Sequence, residues 1–245
     1  MGQATPTPES TPGTSAGRSG HLDRVEQAAA LCGAAFVLLA VLYIFLSPAV
    51  DPTASPQTVA RAYTDHRTAA LVWNEVGALA FFFYLFFLGA LYNRLRRAEG
   101  GTGWLALIAF AGGLGLVITH AVETLSALVL AWHVAPDAVS GGDFSSVRVL
   151  FDLSSLTVYY DVIPTAASIA AVSIVTFRTD VFPRWFGWVG ILLAIAGLVT
   201  TLSIANPKGA LSAVAENVYS IPFLFLYVPV LVYFLARPER SVRAT

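Results

Sequence analysis

The stretch WLALIAFAGGLGLVITHAVETLSALVLA, residues 104–131, is apolar over its whole length except for a few polar residues, among them His120 and Glu123. About 20 predominantly apolar residues suffice for a helix to cross a bilayer. Ionisable side chains inside a membrane protein are costly and almost always face the bundle interior or a wet cavity. The glycines at 112–115 suit close packing against another helix. The stretch therefore predicts a packed membrane helix that carries part of a polar site.

The composition of the whole chain agrees with a membrane protein. Of the 245 residues, 56% are hydrophobic and 12% are charged, whereas soluble domains carry about 25% charged residues. The lipid bilayer is therefore the first predicted partner. The net charge of -1 and the lack of a basic stripe exclude a nucleic-acid partner. The single cysteine, Cys32, excludes an intrachain disulfide and a cysteine-based metal cluster.

The apolar runs predict an all-α membrane fold, a six-helix transmembrane bundle over residues 26–237. The predicted spans are 27–48, 69–93, 104–131, 150–177, 185–205 and 217–236. Residues 1–25, rich in Pro, Thr, Ser and Gly, are predicted to be a disordered tail, and residues 238–245 form a second tail. In the first long connection, Ser55-Pro56 predicts the N-cap and first residue of a short interfacial helix.

The basic residues predict the orientation of the bundle. Six crossings place ten of them on one side: Arg18, Arg24, Arg94, Arg96, Arg97, Arg178, Arg184, Arg237, Arg240 and Arg243. Four lie on the other side: Arg61, Arg67, Arg148 and Lys208. Because cytoplasmic loops carry the excess of Lys and Arg, both termini are predicted to be cytoplasmic (N-in, C-in). The predicted location is the inner (plasma) membrane of a bacterial cell.

Four ionisable residues share one level in the predicted bundle. At 1.5 Å per residue, the height above the cytoplasmic end is about 24 Å for His120, about 29 Å for Glu123, about 25 Å for Glu75 and about 24 Å for Asp161. In a hydrocarbon core of about 30 Å, all four lie in the outer leaflet. The spacing i, i+3 also puts His120 and Glu123 on one face of their helix. We therefore expect the second, third, fourth and sixth spans to be neighbours.

These four residues are the predicted functional core: Glu75, His120, Glu123 and Asp161. The surrounding candidates for ligand binding are Asn74, Thr157, Tyr160, Glu216 and Asn217. Acids outnumber cations in this cluster, so mutual pairing does not account for all of them, and some are expected to be protonated or to face water. The preferred hypothesis is an outward-facing pocket for a small hydrophobic or amphipathic ligand.

Three other interpretations of the cluster stay open. One is a membrane-embedded enzyme that uses acid–base chemistry or a divalent metal on a lipid-like or isoprenoid-like substrate. Imidazole and carboxylates suit such a metal, and its ligands would come from the same four residues. However, the motif His-x-x-Glu alone lacks the second histidine of zinc-binding helices, so no cofactor is predicted. The others are a proton-coupled transporter and a purely structural clasp. Whether the chain is an enzyme, and its oligomeric state, are left undecided.

Three segments resemble a large bacterial family of six-span membrane proteins that is catalogued only as a domain of unknown function. The first is DVFPRWFGWVGILLAIAGLV (180–199), with a Pro-Arg-Trp turn before the fifth span. The second is NEVGALAFFFYLFFLGALYNRLRR (74–97), in which Glu75 matches a family Glu. The third is THAVE (119–123), where the family often has Arg-x-x-Glu. Glu123 fits that pattern and His120 departs from it.

The resemblance implies the fold and the topology and supplies no activity. The departure at His120 matters for the chemistry of the cluster. An arginine there would be a permanent cation beside the acids, whereas a histidine titrates near neutral pH. Function must therefore be argued from the site itself.

Overall fold

The computed structural model describes residues 15–46, 50–201 and 221–237, and all the regular structure in these ranges is helical. The helices are α1 (Ser15–Leu46), α2 (Pro56–Asp65), α3 (Arg67–Glu99), α4 (Trp104–Val129), α5 (Ala135–Gly141), α6 (Ser145–Thr179), α7 (Arg184–Thr201) and α8 (Phe223–Ala236). A π-helical turn, Leu130–Val134, joins α4 to α5, and α8 begins with a second one, Phe223–Tyr227.

Within the ranges that the structure describes, five helical segments are long and apolar enough to cross a membrane, as the hydropathy of the sequence predicts. They are Arg24–Leu46, Arg67–Glu99, Trp104–Gly141, Ser145–Thr179 and Arg184–Thr201. The sixth predicted span, 217–236, corresponds to the shorter apolar helix α8, and residues 217–220 lie outside the described ranges. Sequence and structure therefore agree that this is a multi-pass membrane protein.

The first predicted tail differs from the structure. Residues 15–25, which we expected to be disordered, form the first turns of α1. Extending an existing helix costs far less than nucleating a new one, so good helix formers such as Leu22 and Arg24 continue the apolar span towards the N-terminus. Residues 1–14 and the C-terminal tail, 238–245, lie outside the described part of the chain.

The long helices form a closed ring. Going round it, α1 packs on α3, α3 on α4, α4 on α6, α6 on α7, and α8 contacts both α7 and α1. Buried apolar residues of these helices form one continuous core. Of the four spans expected to be neighbours, the second, third and fourth (α3, α4 and α6) lie side by side. The described part of the sixth, α8, instead lies between α7 and α1 in the ring.

The helices α4 and α6 approach each other closely. A Cβ atom added to Gly112 would overlap the carbonyl oxygen of Pro164 and would lie 2.9 Å from the backbone nitrogen of Ser168. The hydroxyl of Ser168 donates a hydrogen bond of 2.7 Å to the carbonyl of Ala109 on the facing helix. The glycine-rich segment of α4 therefore packs as predicted, and the absence of a side chain at Gly112 sets the distance between the two backbones.

One end of the ring is held by a buried arginine on α3. Arg94 Nη1 donates to the carbonyl oxygens of Phe234 (2.7 Å) and Arg237 (3.3 Å) at the C-terminal end of α8. The same atom lies 3.8 Å from a carboxylate oxygen of Glu26 on α1, which also binds Arg97. A cation at a helix C-terminus satisfies carbonyls that have no intrahelical partner. We call Glu26, Arg94 and Arg97, with the end of α8, the arginine clasp.

The opposite end of the ring is covered by the short helices α2 and α5, which form a small second core with the ends of α3, α4 and α6. Arg67 donates to the carbonyls of Ala131 (3.3 Å) and Trp132 (3.1 Å) in the π-helical turn. Arg148 donates to Asp152 (2.8 Å) on its own helix and to the carbonyl of Ala54 (3.1 Å). Both arginines therefore stabilise this cap, and Arg148 is not a partner of the acidic cluster.

The predicted N-cap of α2 is confirmed. Ser55 has an extended backbone, and its Oγ accepts a hydrogen bond of 3.2 Å from the backbone N–H of Thr58. We expect Ser55→Ala to lower the free energy of unfolding by about 1 kcal/mol, as is usual for loss of an N-cap. Thermal unfolding in detergent should show a midpoint about 2–4 °C lower. Ser146→Ala, at an exposed serine of α6, is the control; equal midpoints for the two variants would contradict the capping role.

Candidate functional site

A cavity of about 250 Å³ lies inside the helix ring. All six long helices contribute described residues to its walls, and most of the lining is apolar, including Phe36, Phe81 and Phe223. Two lining residues, Ile44 on α1 and Val158 on α6, are also exposed at the surface. An apolar cavity of roughly 150 Å³ already admits a molecule the size of benzene. The space therefore suits a small organic ligand.

Three of the four predicted core residues line this cavity: His120 and Glu123 from α4, and Asp161 from α6. Counting along the spans placed these three residues at one height in the membrane, and all three line the same cavity. The side chains of His120 and Glu123 are buried, and Asp161 is half-buried.

The carboxylate of Glu123 is the centre of a hydrogen-bond network. Tyr43 on α1 donates its hydroxyl to Oε1 at 2.9 Å, and His120 Nδ1 lies 3.1 Å from Oε2. Because a carboxylate only accepts hydrogen bonds, Nδ1 carries a proton and donates it. The network therefore connects α1 to α4 and gives each oxygen of Glu123 one donor.

The ring of His120 is fixed by aromatic neighbours. Phe81 of α3 stacks on it with a centroid distance of 4.1 Å, and Tyr43 packs edge-on at 5.2 Å. A Cβ atom at Gly77 would lie 3.1 Å from His120 Nε2, so the glycine leaves the room that the imidazole occupies. Within the described residues, Nε2 is buried and has no hydrogen-bond partner.

Asp161 differs from Glu123 in its surroundings. Its side chain lines the cavity, and no residue in the described ranges donates a hydrogen bond to its carboxyl group. Its backbone carbonyl accepts a hydrogen bond of 2.6 Å from the hydroxyl of Thr165, one turn later. The described lining contains no Lys or Arg. One carboxylate of the cavity thus receives hydrogen bonds from Tyr43 and His120, and the other faces open space.

The cap over this end of the bundle contains a buried phenol, that of Tyr63 on α2. Burial, and after it the negative charge of Glu123, raise the pKa of the Tyr63 phenol to about 12. The hydroxyl therefore stays protonated at neutral pH.

The remaining predicted site residues lie away from the cavity or outside the described ranges. Glu75 is exposed on the outer face of α3 and is not brought to the cluster. Its neighbour Asn74 is buried and donates to the carbonyl of Ala70 at 2.8 Å. Thr157 is buried and donates to the carbonyl of Leu153 at 2.6 Å, and Tyr160 is exposed. Glu216 and Asn217 fall in the stretch 202–220, which the structure does not describe.

The residue that sequence reasoning missed is Tyr43. It lies 16 residues after Gln27, the start of the first predicted span, which is about 24 Å at 1.5 Å per residue. That height equals the one assigned to His120. Applying the same count to neutral polar residues, and not only to ionisable ones, would have identified it.

The metal-dependent interpretation finds no support in the coordination geometry. Within the parts of the chain that the structure describes, no three His, Cys, Asp or Glu side chains lie close enough together to hold a metal ion. The exposed position of Glu75 removes one of the four proposed ligands. The described cluster consists of two carboxylates, an imidazole and a phenol.

Comparison with known proteins gives a family match without a functional precedent. The model of the family described as Domain of unknown function (DUF4386) matches residues 31–237. No curated protein and no solved structure matches the chain. The match covers every described residue that lines the cavity.

Proposed function

We propose that this chain, which belongs to the DUF4386 family, is a six-span membrane protein whose internal cavity binds a small hydrophobic or amphipathic ligand. The observation that carries the proposal is the cavity of about 250 Å³ at the Tyr43–His120–Glu123 network. Small-molecule sites combine a mostly apolar wall with a few placed polar groups, and this cavity has both.

The membrane arrangement that accompanies this proposal has six spans, with α8 as the last, in the inner membrane and with both termini in the cytoplasm. The excess of arginine on one side supports the orientation. This orientation places the arginine clasp at the cytoplasmic face and the α2–α5 cap at the outer face. The ligand then approaches its site from the outer leaflet or from the space outside it.

The other interpretations receive less support from the geometry. If the acidic cluster were purely structural, every acid in it would have a hydrogen-bond donor. Asp161, however, has no donor within the described residues and borders open space. General acid–base catalysis by His120 requires a nitrogen that reaches the substrate, whereas Nε2 is buried against Gly77. Proton-coupled transport requires a second state of the bundle, and no observation in these helices favours one.

The test is a substitution that fills the cavity without altering its polar groups. Ala40 on α1 lines the cavity, so we expect Ala40→Phe to occupy the space of the ligand. Small molecules that co-purify with the protein from detergent extracts are quantified by mass spectrometry. We expect at least one species to fall about tenfold or more in Ala40→Phe, which corresponds to about 1.4 kcal/mol or more.

The matched control is Leu38→Phe on the same helix, where the side chain is 72% exposed and does not line the cavity. The control should retain the species that Ala40→Phe loses. If wild type, Ala40→Phe and Leu38→Phe carry the same molecules in the same amounts, the cavity is not a ligand site and the proposal is wrong.

A further inference from the structure

We propose that the ligand of this cavity is an organic cation, a small protonated amine whose ammonium group pairs with Asp161 and whose apolar body lies against the aromatic wall. The inference rests on the proposed function, because it names the chemical class of the ligand at the same site. Three features of the cavity carry it: its charge, its aromatic residues and the position of Asp161.

The charge of the cavity is unbalanced. Glu123 and Asp161 both line it, and among the described lining residues there is no Lys or Arg. The imidazole of His120 is already engaged with Glu123, whose Oε2 lies 3.1 Å from Nδ1, and the structure gives it no contact with Asp161. An ionised carboxylate in an apolar surrounding is stable only with a partner, and without one it takes up a proton. A cationic ligand would be that partner.

The two acids have different roles in this arrangement. Glu123 already receives one hydrogen bond on each oxygen, from Tyr43 and His120. Asp161 receives none from the described residues and lines the same cavity from α6, the neighbour of α4 in the ring. Ammonium groups donate up to three hydrogen bonds and accept none. The primary contact is therefore with Asp161, while Glu123 adds its negative charge from the adjoining helix.

The wall of the cavity suits the rest of such a molecule. Phe36, Phe81 and Phe223 line it together with Tyr43 and Tyr159. Aromatic faces attract cations, most strongly where water is excluded, and they also bury the hydrocarbon part of an amine. A neutral lipid would use the same wall but would leave Asp161 unpaired, and an anion would be repelled by both carboxylates.

The experiment uses three probes of nearly equal shape that differ in charge: phenethylamine, 2-phenylethanol and phenylacetate. Each is titrated calorimetrically at pH 7 into the full-length protein in lipid nanodiscs, and titrations into empty nanodiscs are subtracted. We expect phenethylamine to bind at least tenfold more tightly than 2-phenylethanol, and phenylacetate to bind more weakly than both. Asp161→Asn should remove the preference for the amine and leave the affinity for the alcohol unchanged.

Glu75→Gln is the matched control, since this carboxylate lies on the exposed face of α3 and does not line the cavity. The control should keep the full preference for the amine. If the wild type binds amine and alcohol equally, and Ala40→Phe abolishes both, the pocket stands and the cation inference is wrong. If none of the probes binds, or if Ala40→Phe changes nothing, the cation inference and the use of the cavity as a pocket for ligands of this size both fail.

Discussion

Replacing Gly112 with alanine is expected to lower the free energy of unfolding by about 2 kcal/mol, because the new methyl group meets backbone atoms of α6 that do not move independently of their helix. The carbonyl oxygen of Pro164 and the backbone nitrogen of Ser168 occupy the space that the methyl group needs. The two helices must separate to admit it. Thermal unfolding in detergent should show a midpoint lower by about 5 °C.

We also expect Gly112→Ala to impair the ligand site, since α4 carries Glu123 and α6 carries Asp161. Separating the two helices changes the distance between these carboxylates without altering either of them. The control is Gly89→Ala on α3, where an added Cβ meets nothing within 4 Å. Alanine in a helix at such an open position should be neutral or stabilising by about 0.5 kcal/mol. A Gly89 variant as unstable as the Gly112 variant would show that the packing argument is wrong.

Removing the buried cation of the arginine clasp is expected to have the largest effect on stability. Arg94→Ala leaves the carbonyls of Phe234 and Arg237 without this donor and takes one cation from the buried carboxylate of Glu26. Breaking a buried charged network from one side costs about 3 kcal/mol or more. Arg94→Lys should recover only part of this loss, because an ammonium group cannot reproduce the planar fork of a guanidinium group.

The matched control for Arg94 is Arg184→Ala. Arg184 pairs with Asp180 at 3.3 Å, but the two side chains are 74% and 73% exposed. An exposed pair of this kind contributes little, so the free energy of unfolding should change by less than about 0.5 kcal/mol. Chemical or thermal unfolding in the same detergent measures both variants. Similar losses for Arg94 and Arg184 would contradict the assignment of the clasp.

The height of each site residue could be predicted from the sequence, because the rise of a helix is fixed. His120, Glu123 and Asp161 were placed at one level by counting, and the structure brings all three to one cavity. The direction in which a side chain points is set by rotation about the helix axis and by the choice of neighbours. Asn74 and Glu75 are adjacent, yet successive residues differ by about 100° around the helix. Asn74 is therefore buried while Glu75 is exposed.

Tertiary packing explains what else could not be predicted. The contact of α1 with the site depends on the ring arrangement, which no local pattern of the first span encodes. The π-helical turn Leu130–Val134 and α5 continue the helical path of α4 to Gly141, ten residues beyond the predicted end of the span at 131, and both contact α2. The N-cap at Ser55, by contrast, depends only on neighbouring residues, and it was predicted correctly.

The way α8 is held has a mechanical consequence. Its C-terminal end is bonded to Arg94 through Phe234 and Arg237, while its N-terminal end supplies Phe223 to the cavity wall. Phe234 lies eleven positions after Phe223 in the sequence, a lever arm of about 16 Å at 1.5 Å per residue. With the far end as pivot, a tilt of about 10° displaces Phe223 by about 3 Å for an arm of this length. Small angular changes at the arginine clasp are thus amplified into changes in cavity width.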